Sequence, residues 1–161
     1  MNFERLLSEQ KIEIVEKTEV ELRLAWKDIE FAKKGLETDN YDRVMAVAYE
    51  AVLRAGNDLM NFLGYRAIGK EHHKNLFEFL KETGLNQNLV SYFDKIRQKR
   101  NNFLYRDIEC ISKEEAEIII KKAEEFVQEI RTFVHKNRTD GNKDKAKKKK
   151  GEINGEKAKD E

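Results

Sequence analysis

The stretch Ile96-Arg97-Gln98-Lys99-Arg100-Asn101-Asn102-Phe103-Leu104-Tyr105-Arg106-Asp107 holds the residue types and spacing that can do chemistry. Upstream, Leu89, Phe93 and Ile96 recur at three- and four-residue spacing, the apolar stripe of an amphipathic helix. Continued by four, the stripe lands on Arg100, and three more reach Phe103. A permanently charged guanidinium thus stands where the pattern asks for Leu. Burying an unpaired charge is expensive, so this Arg must pair with a carboxylate or face a cleft that receives an anion. Asp58, one position before Leu59 on another predicted helix, and Asp107 are the carboxylates the sequence offers. Arg97, Asn101 and Tyr105 are four apart and share one helix edge. Arg97, Lys99 and Arg106 also read as ordinary helix-surface charge, with Arg97 and Arg106 the further cations available to a phosphate. Five residues on an ideal helix leave Arg100 and Tyr105 about 140° apart. They share a site only where the helix loosens or a second chain closes around it.

The adjacent His72 and His73 are the other candidates for proton transfer, since His titrates nearest neutral pH. A single Cys, Cys110, excludes an intramolecular disulfide, and no Cys/His cluster has metal-ligand spacing. Neither a metal nor a cofactor is expected. Net charge is only +1, so no global pull toward nucleic acid or membrane follows. An N-terminus carrying Glu4, Glu9, Glu13 and Glu16 does not read as a signal peptide. No apolar run approaches the roughly 18 residues of a membrane span. A soluble, cytoplasmic protein is the expectation.

The elements that must position these residues are helices. The chain has no Pro, is 39% charged and 39% hydrophobic, and favours an all-α fold. Residues 1–17 are an amphipathic lead-in, a brief helix and a turn. A first long helix is predicted from Thr18, with Leu22, Trp26, Ile29, Phe31, Ala32 and Leu36 in period; Trp26 and Phe31 read as core or dimer-interface anchors. Thr38-Asp39-Asn40 stops it and supplies N-caps for a second helix from Tyr41. That helix is rich in small residues (Ala46, Ala48, Ala51, Ala55, Gly56), which makes it the central one; Gly64 fits its C′ position and 65–70 reads as a loop. A third helix is expected over 71–82 and a fourth over 86–105. Ser112-Lys113-Glu114-Glu115 is a capping box that starts a fifth.

From 138 to 161 the composition turns to Lys, Asp, Glu, Gly and Asn, with nine Lys/Arg against six Asp/Glu and a run Lys147 to Lys150. Such a tail is expected to be disordered. The bundle proper is 18–137. Short connections make successive helices antiparallel, which predicts that Tyr65 and Arg66, His72 and His73, and Arg100 onward gather at one pole.

With Tyr41-Asp42-Arg43-Val44-Met45-Ala46-Val47-Ala48-Tyr49-Glu50, Gly64-Tyr65, Gly69-Lys70-Glu71-His72-His73 and Arg100-Asn101-Asn102-Phe103-Leu104-Tyr105 in order, the chain resembles the HEPN domains over roughly 18–138. These are small helical bundles of prokaryotes, often encoded beside a minimal nucleotidyltransferase. The family hallmark is an Arg, usually followed by Asn, with a His four to six residues on; in active members it forms a metal-independent ribonuclease site between two subunits. Arg100-Asn101 matches the first half, and Tyr105 stands in the His position. With a reference pKa of about 10, Tyr is a poor base at neutral pH. The resemblance implies a homodimer that binds RNA or nucleotide phosphate at Arg100, the toxin or effector half of a toxin–antitoxin or defence module. In it Asn101 positions Arg100 or substrate, and Tyr105 or a His of the 72–73 pair moves the proton. The competing reading is a non-catalytic module, with Arg100 paired to Asp58 or Asp107 and a helical face that binds a partner protein such as a nucleotidyltransferase.

Overall fold

The computed structural model describes residues 1–103 and 111–156, with side chains from Met1 to Arg100 and from Ile111 to Arg138. Its elements are α1 (Glu4–Ser8), β1 (Ile12–Ile14), α2 (Arg23–Gly35), a 3-10 turn (Leu36–Thr38), α3 (Tyr41–Leu63), β2 (Tyr65–Ala67), α4 (His72–Lys81), α5 (Gln87–Phe103) and α6 (Lys113–Glu156). The all-α bundle holds, with five main helices and α1 as the brief helix of the lead-in. The backbone of α6 runs on to Glu156 through the segment expected to be disordered, and the side chains beyond Arg138 lie outside the described residues.

The central role of α3 follows from its small residues. Ala48, Ala51, Ala55 and Gly56 are buried along it and let α2 and α6 pack closely on its flanks. A Cβ at Gly56 would sit 3.3 Å from Leu80 and 3.4 Å from Leu76, so the glycine sets how near α4 approaches. Both ends of α3 carry the predicted signals. The Asn40 side chain accepts from the Arg43 amide at 3.3 Å, and Gly64 takes the left-handed C′ conformation at φ 89°. The capping box of α6 forms as expected: the Ser112 amide donates to Glu115 at 2.9 Å, and the Glu115 amide to Ser112 Oγ at 3.1 Å.

Two expectations need correction. The first long helix begins at Arg23 rather than Thr18, because the preceding segment is held extended against the end of α3. Val15 donates its amide to the Gly64 carbonyl at 2.9 Å, and Thr18 donates to Asn61 at 3.2 Å. The expected loop at 65–70 instead begins with a strand. β2 pairs antiparallel with β1 in the register Ile12↔Ala67, Glu13↔Arg66, Ile14↔Tyr65, and Arg66 is ion-paired with Glu13 across the ladder. Ile12 is buried and Ile14 exposed, the alternation of a strand, but three residues are too short a run to declare that period in sequence.

Candidate functional site

The predicted pole is half assembled. Tyr65 and Arg66 are elsewhere: the Tyr65 ring packs on Phe3 at 4.9 Å and on Phe79 at 5.6 Å. The reason is the course of α4, which lies across the middle of α3 with Leu76 and Leu80 over Gly56. Its start therefore lies beside Glu50 to Asp58, within electrostatic reach of the end of α5.

At that end the Arg100 guanidinium lies over the face of the Tyr49 ring, 4.8 Å from its centroid. Tyr49 projects from α3, is 2% exposed, and its ring lies near-parallel to that of Phe77 of α4, with centroids 6.3 Å apart and an interplanar angle of 19°. Among the described residues no carboxylate lies within ion-pair distance of Arg100. The pairing with Asp58 expected in the competing reading is not what the fold makes. Asp58 lines a cleft of about 400 Å³ with Glu21, Glu50, Arg54 and His73. Its carboxyl is raised to about 6 by burial and by Glu21, against the pull of Arg54. Asp107, the other expected partner, lies outside the described residues, as do Tyr105, Arg106, Cys110 and the Asn101 side chain.

Arg97, one turn before Asn101, is more than a surface charge. Its side chain is only 13% exposed, and Nε donates to Asp94 Oδ1 at 2.8 Å. Asp94 Oδ2 accepts from Lys81 Nζ of α4 at 2.6 Å, so one carboxylate joins two cations from two helices. Burial alone raises the Asp94 carboxyl, but the hydrogen bonds and charges of Lys81 and Arg97 outweigh it and hold it below the usual range.

His72 and His73 meet edge to face, with ring centroids 4.3 Å apart. His72 Nδ1 lies 3.2 Å from the Gly69 carbonyl; a carbonyl only accepts, so this contact puts a proton on Nδ1 and, in the neutral ring, leaves Nε2 as the acceptor. Burial lowers the His73 pKa, and the charges of His72, Arg100 and Arg97 lower it further against Glu50. The structure thus brings His73 into the field of Arg100 and Arg97. The same two cations act on Tyr49, but burial dominates and pushes its hydroxyl up to about 12.

Sequence reasoning missed Tyr49 and Asp94. Tyr49 follows Ala48 on the buried face of α3, and an aromatic there reads as core. Asp94 follows Phe93 and precedes Arg97 by three, a legible helix pair that carried no weight without knowledge of its burial. Of the two expected anchors, Trp26 is partly buried beside a groove between α2 and α6 of about 810 Å³, while Phe31 is 60% exposed. Among the described residues no group of three or more His, Cys, Asp or Glu is placed to hold a metal ion, and no helix is long and apolar enough to cross a membrane.

Comparison with known families matches residues 18–133 to the model of the HEPN domain. Among curated proteins the chain is similar to the "UPF0332 protein" of Archaeoglobus fulgidus, 32% identical over 117 residues that cover 71% of this chain and 92% of that one.

Proposed function

The chain belongs to the HEPN family, and from that premise we propose that it binds RNA through phosphate contacts centred on Arg100. The observation that carries this reading is a guanidinium held against an aromatic face with no carboxylate at ion-pair distance among the described residues. Arg is suited to this task because it stays charged and offers a planar fork of donors to phosphate oxygens. The two imidazoles nearby favour the same assignment, and Arg97 and Arg106 are the further phosphate-contacting cations of the proposal.

Within this reading the protein is the effector half of a two-component module, a homodimer whose second copy closes the site, with a nucleotidyltransferase as the partner protein. Cleavage would run without metal. A base takes the 2′-hydroxyl proton, the 2′-oxygen bonds to phosphorus, and the bond to the 5′-oxygen breaks as an acid protonates it. Arg100 holds the charge that builds on the phosphate, and Asn101 positions Arg100 or the strand. His73, kept neutral by its surroundings, and His72, with Nε2 free to accept, suit the base; Tyr105, protonated at neutral pH, suits the acid.

The test is RNA binding and cleavage by the purified protein in EDTA, beside Arg100→Ala, Tyr105→Phe and His73→Ala. Arg100→Ala should weaken RNA binding at least tenfold, about the loss of one or two charge-assisted contacts. Equal RNA affinity in wild type and Arg100→Ala overturns the binding reading. Binding that depends on Arg100 without any cleavage keeps the binding and removes the ribonuclease step.

A further inference from the structure

Two arginines one turn apart on α5 are held in opposite ways. Arg97 has its Nε committed to Asp94, so part of its fork is already used. Arg100 instead has its guanidinium carbon over the Tyr49 ring, 4.8 Å from the centroid. Attraction of a cation to a ring quadrupole is electrostatic and needs no carboxylate acceptor for the guanidinium N–H donors. Among the described residues no hydrogen bond or ion pair takes up the Arg100 fork, and a cation restrained in position with donors to offer is what bidentate capture of a phosphate needs. The platform itself is rigid. Tyr49 is 2% exposed and its ring meets both Phe77 and Arg100, so side chains of α4, α3 and α5 come together at this one aromatic.

The Tyr49 hydroxyl makes no hydrogen bond among the described residues, although it is shut off from water. The ring face, with its negative quadrupole, is therefore the part that acts on Arg100. We propose that Tyr49 is the positioning residue for Arg100, an aromatic platform that pre-orients the guanidinium to receive an RNA phosphate. The proposal rests on the reading of Arg100 as the phosphate-binding residue.

An untethered Arg must be ordered when ligand arrives, which weakens binding by roughly three- to tenfold for one long side chain. The probe is a 2′-O-methyl oligoribonucleotide, which cannot be cleaved, titrated in EDTA against the full chain. Tyr49→Leu and Arg100→Lys should each bind it about three- to tenfold more weakly than wild type, the first by removing the platform and the second by removing the flat group it holds. Tyr49→Phe, which keeps the ring, should stay within about twofold. The Arg100 Nε–Hε resonance, assigned by its loss in Arg100→Lys, should be displaced upfield by the ring in wild type and Tyr49→Phe and return to the ordinary position in Tyr49→Leu. Where Tyr49→Leu fails to fold, Arg100→Lys and the wild-type resonance decide. An undisplaced resonance, or wild-type affinity in Arg100→Lys or in a folded Tyr49→Leu, overturns the platform and leaves the Arg100 site standing. Unchanged affinity in Arg100→Ala instead overturns the site, whatever the resonance shows.

Discussion

Arg97 Nε donates to Asp94 Oδ1 at 2.8 Å within α5, and the two side chains are only 13% and 12% exposed. Removing one member of a buried pair strands the other, so Asp94→Ala should destabilise the fold by about 3 kcal/mol. The pH dependence has a definite sign. The folded Asp94 carboxyl lies below its unfolded value, so its contribution is fully present above about pH 4 and is lost as pH falls through the folded value. Urea denaturation at pH 7 and pH 3 checks both: wild type should lose stability between them by more than Asp94→Ala does.

Asp58 behaves in the opposite sense. Its folded value of about 6 exceeds the unfolded one, so the folded state resists ionisation and stability falls as pH rises from about 4 to about 6. The group is only half-buried and solvent screens it, which reduces the expected effect to about 1 kcal/mol. Asp58→Asn should melt higher than wild type at pH 7.5 and equally at pH 4, as read by thermal unfolding at the two values.

Gly64 closes α3 at φ 89°, and a Cβ there would meet Lys17 at 3.2 Å. Gly64→Ala should destabilise by about 1–2 kcal/mol through the left-handed conformation alone. Gly64→Asn should lose less, because Asn tolerates that region. Chemical denaturation of the two variants gives the order.

His73 supplies a prediction for binding. An RNA phosphate beside Arg100 offsets the positive field of Arg100 and Arg97 that helps lower the His73 pKa, so protonation of His73 and RNA binding should favour each other. Affinity for RNA should rise as pH falls from about 7.5 to 5.5, the range in which His titrates. The rise should shrink in His73→Gln and persist in Tyr105→Phe. Anisotropy titrations across that range measure it.

Much of the architecture was legible because it is written in local chemistry. Asn40, Gly64 and the Ser112–Glu115 box mark helix ends by hydrogen bonds made within a few residues, and spacing alone reveals the stripes of α3, α5 and α6. The strand pair was not legible, since Ile12 and Ala67 are joined by a ladder between distant parts of the chain and each run is only three residues long. Nor was the true start of α2, which depends on backbone bonds from Val15 and Thr18 to the far end of α3.

The same division runs through the site. Sequence by itself determined that a guanidinium occupies an apolar position at Arg100 and that the chain carries the HEPN pattern around it, because periodicity and a short motif are properties of neighbours along the chain. Only the tertiary structure decided what meets that guanidinium. Asp58 was set aside in a separate cleft and Tyr49 was placed under Arg100 by the way α4 crosses α3 and α5 packs beside it. The partner of a side chain is chosen by packing between helices far apart in sequence, and no spacing rule along one helix contains that information.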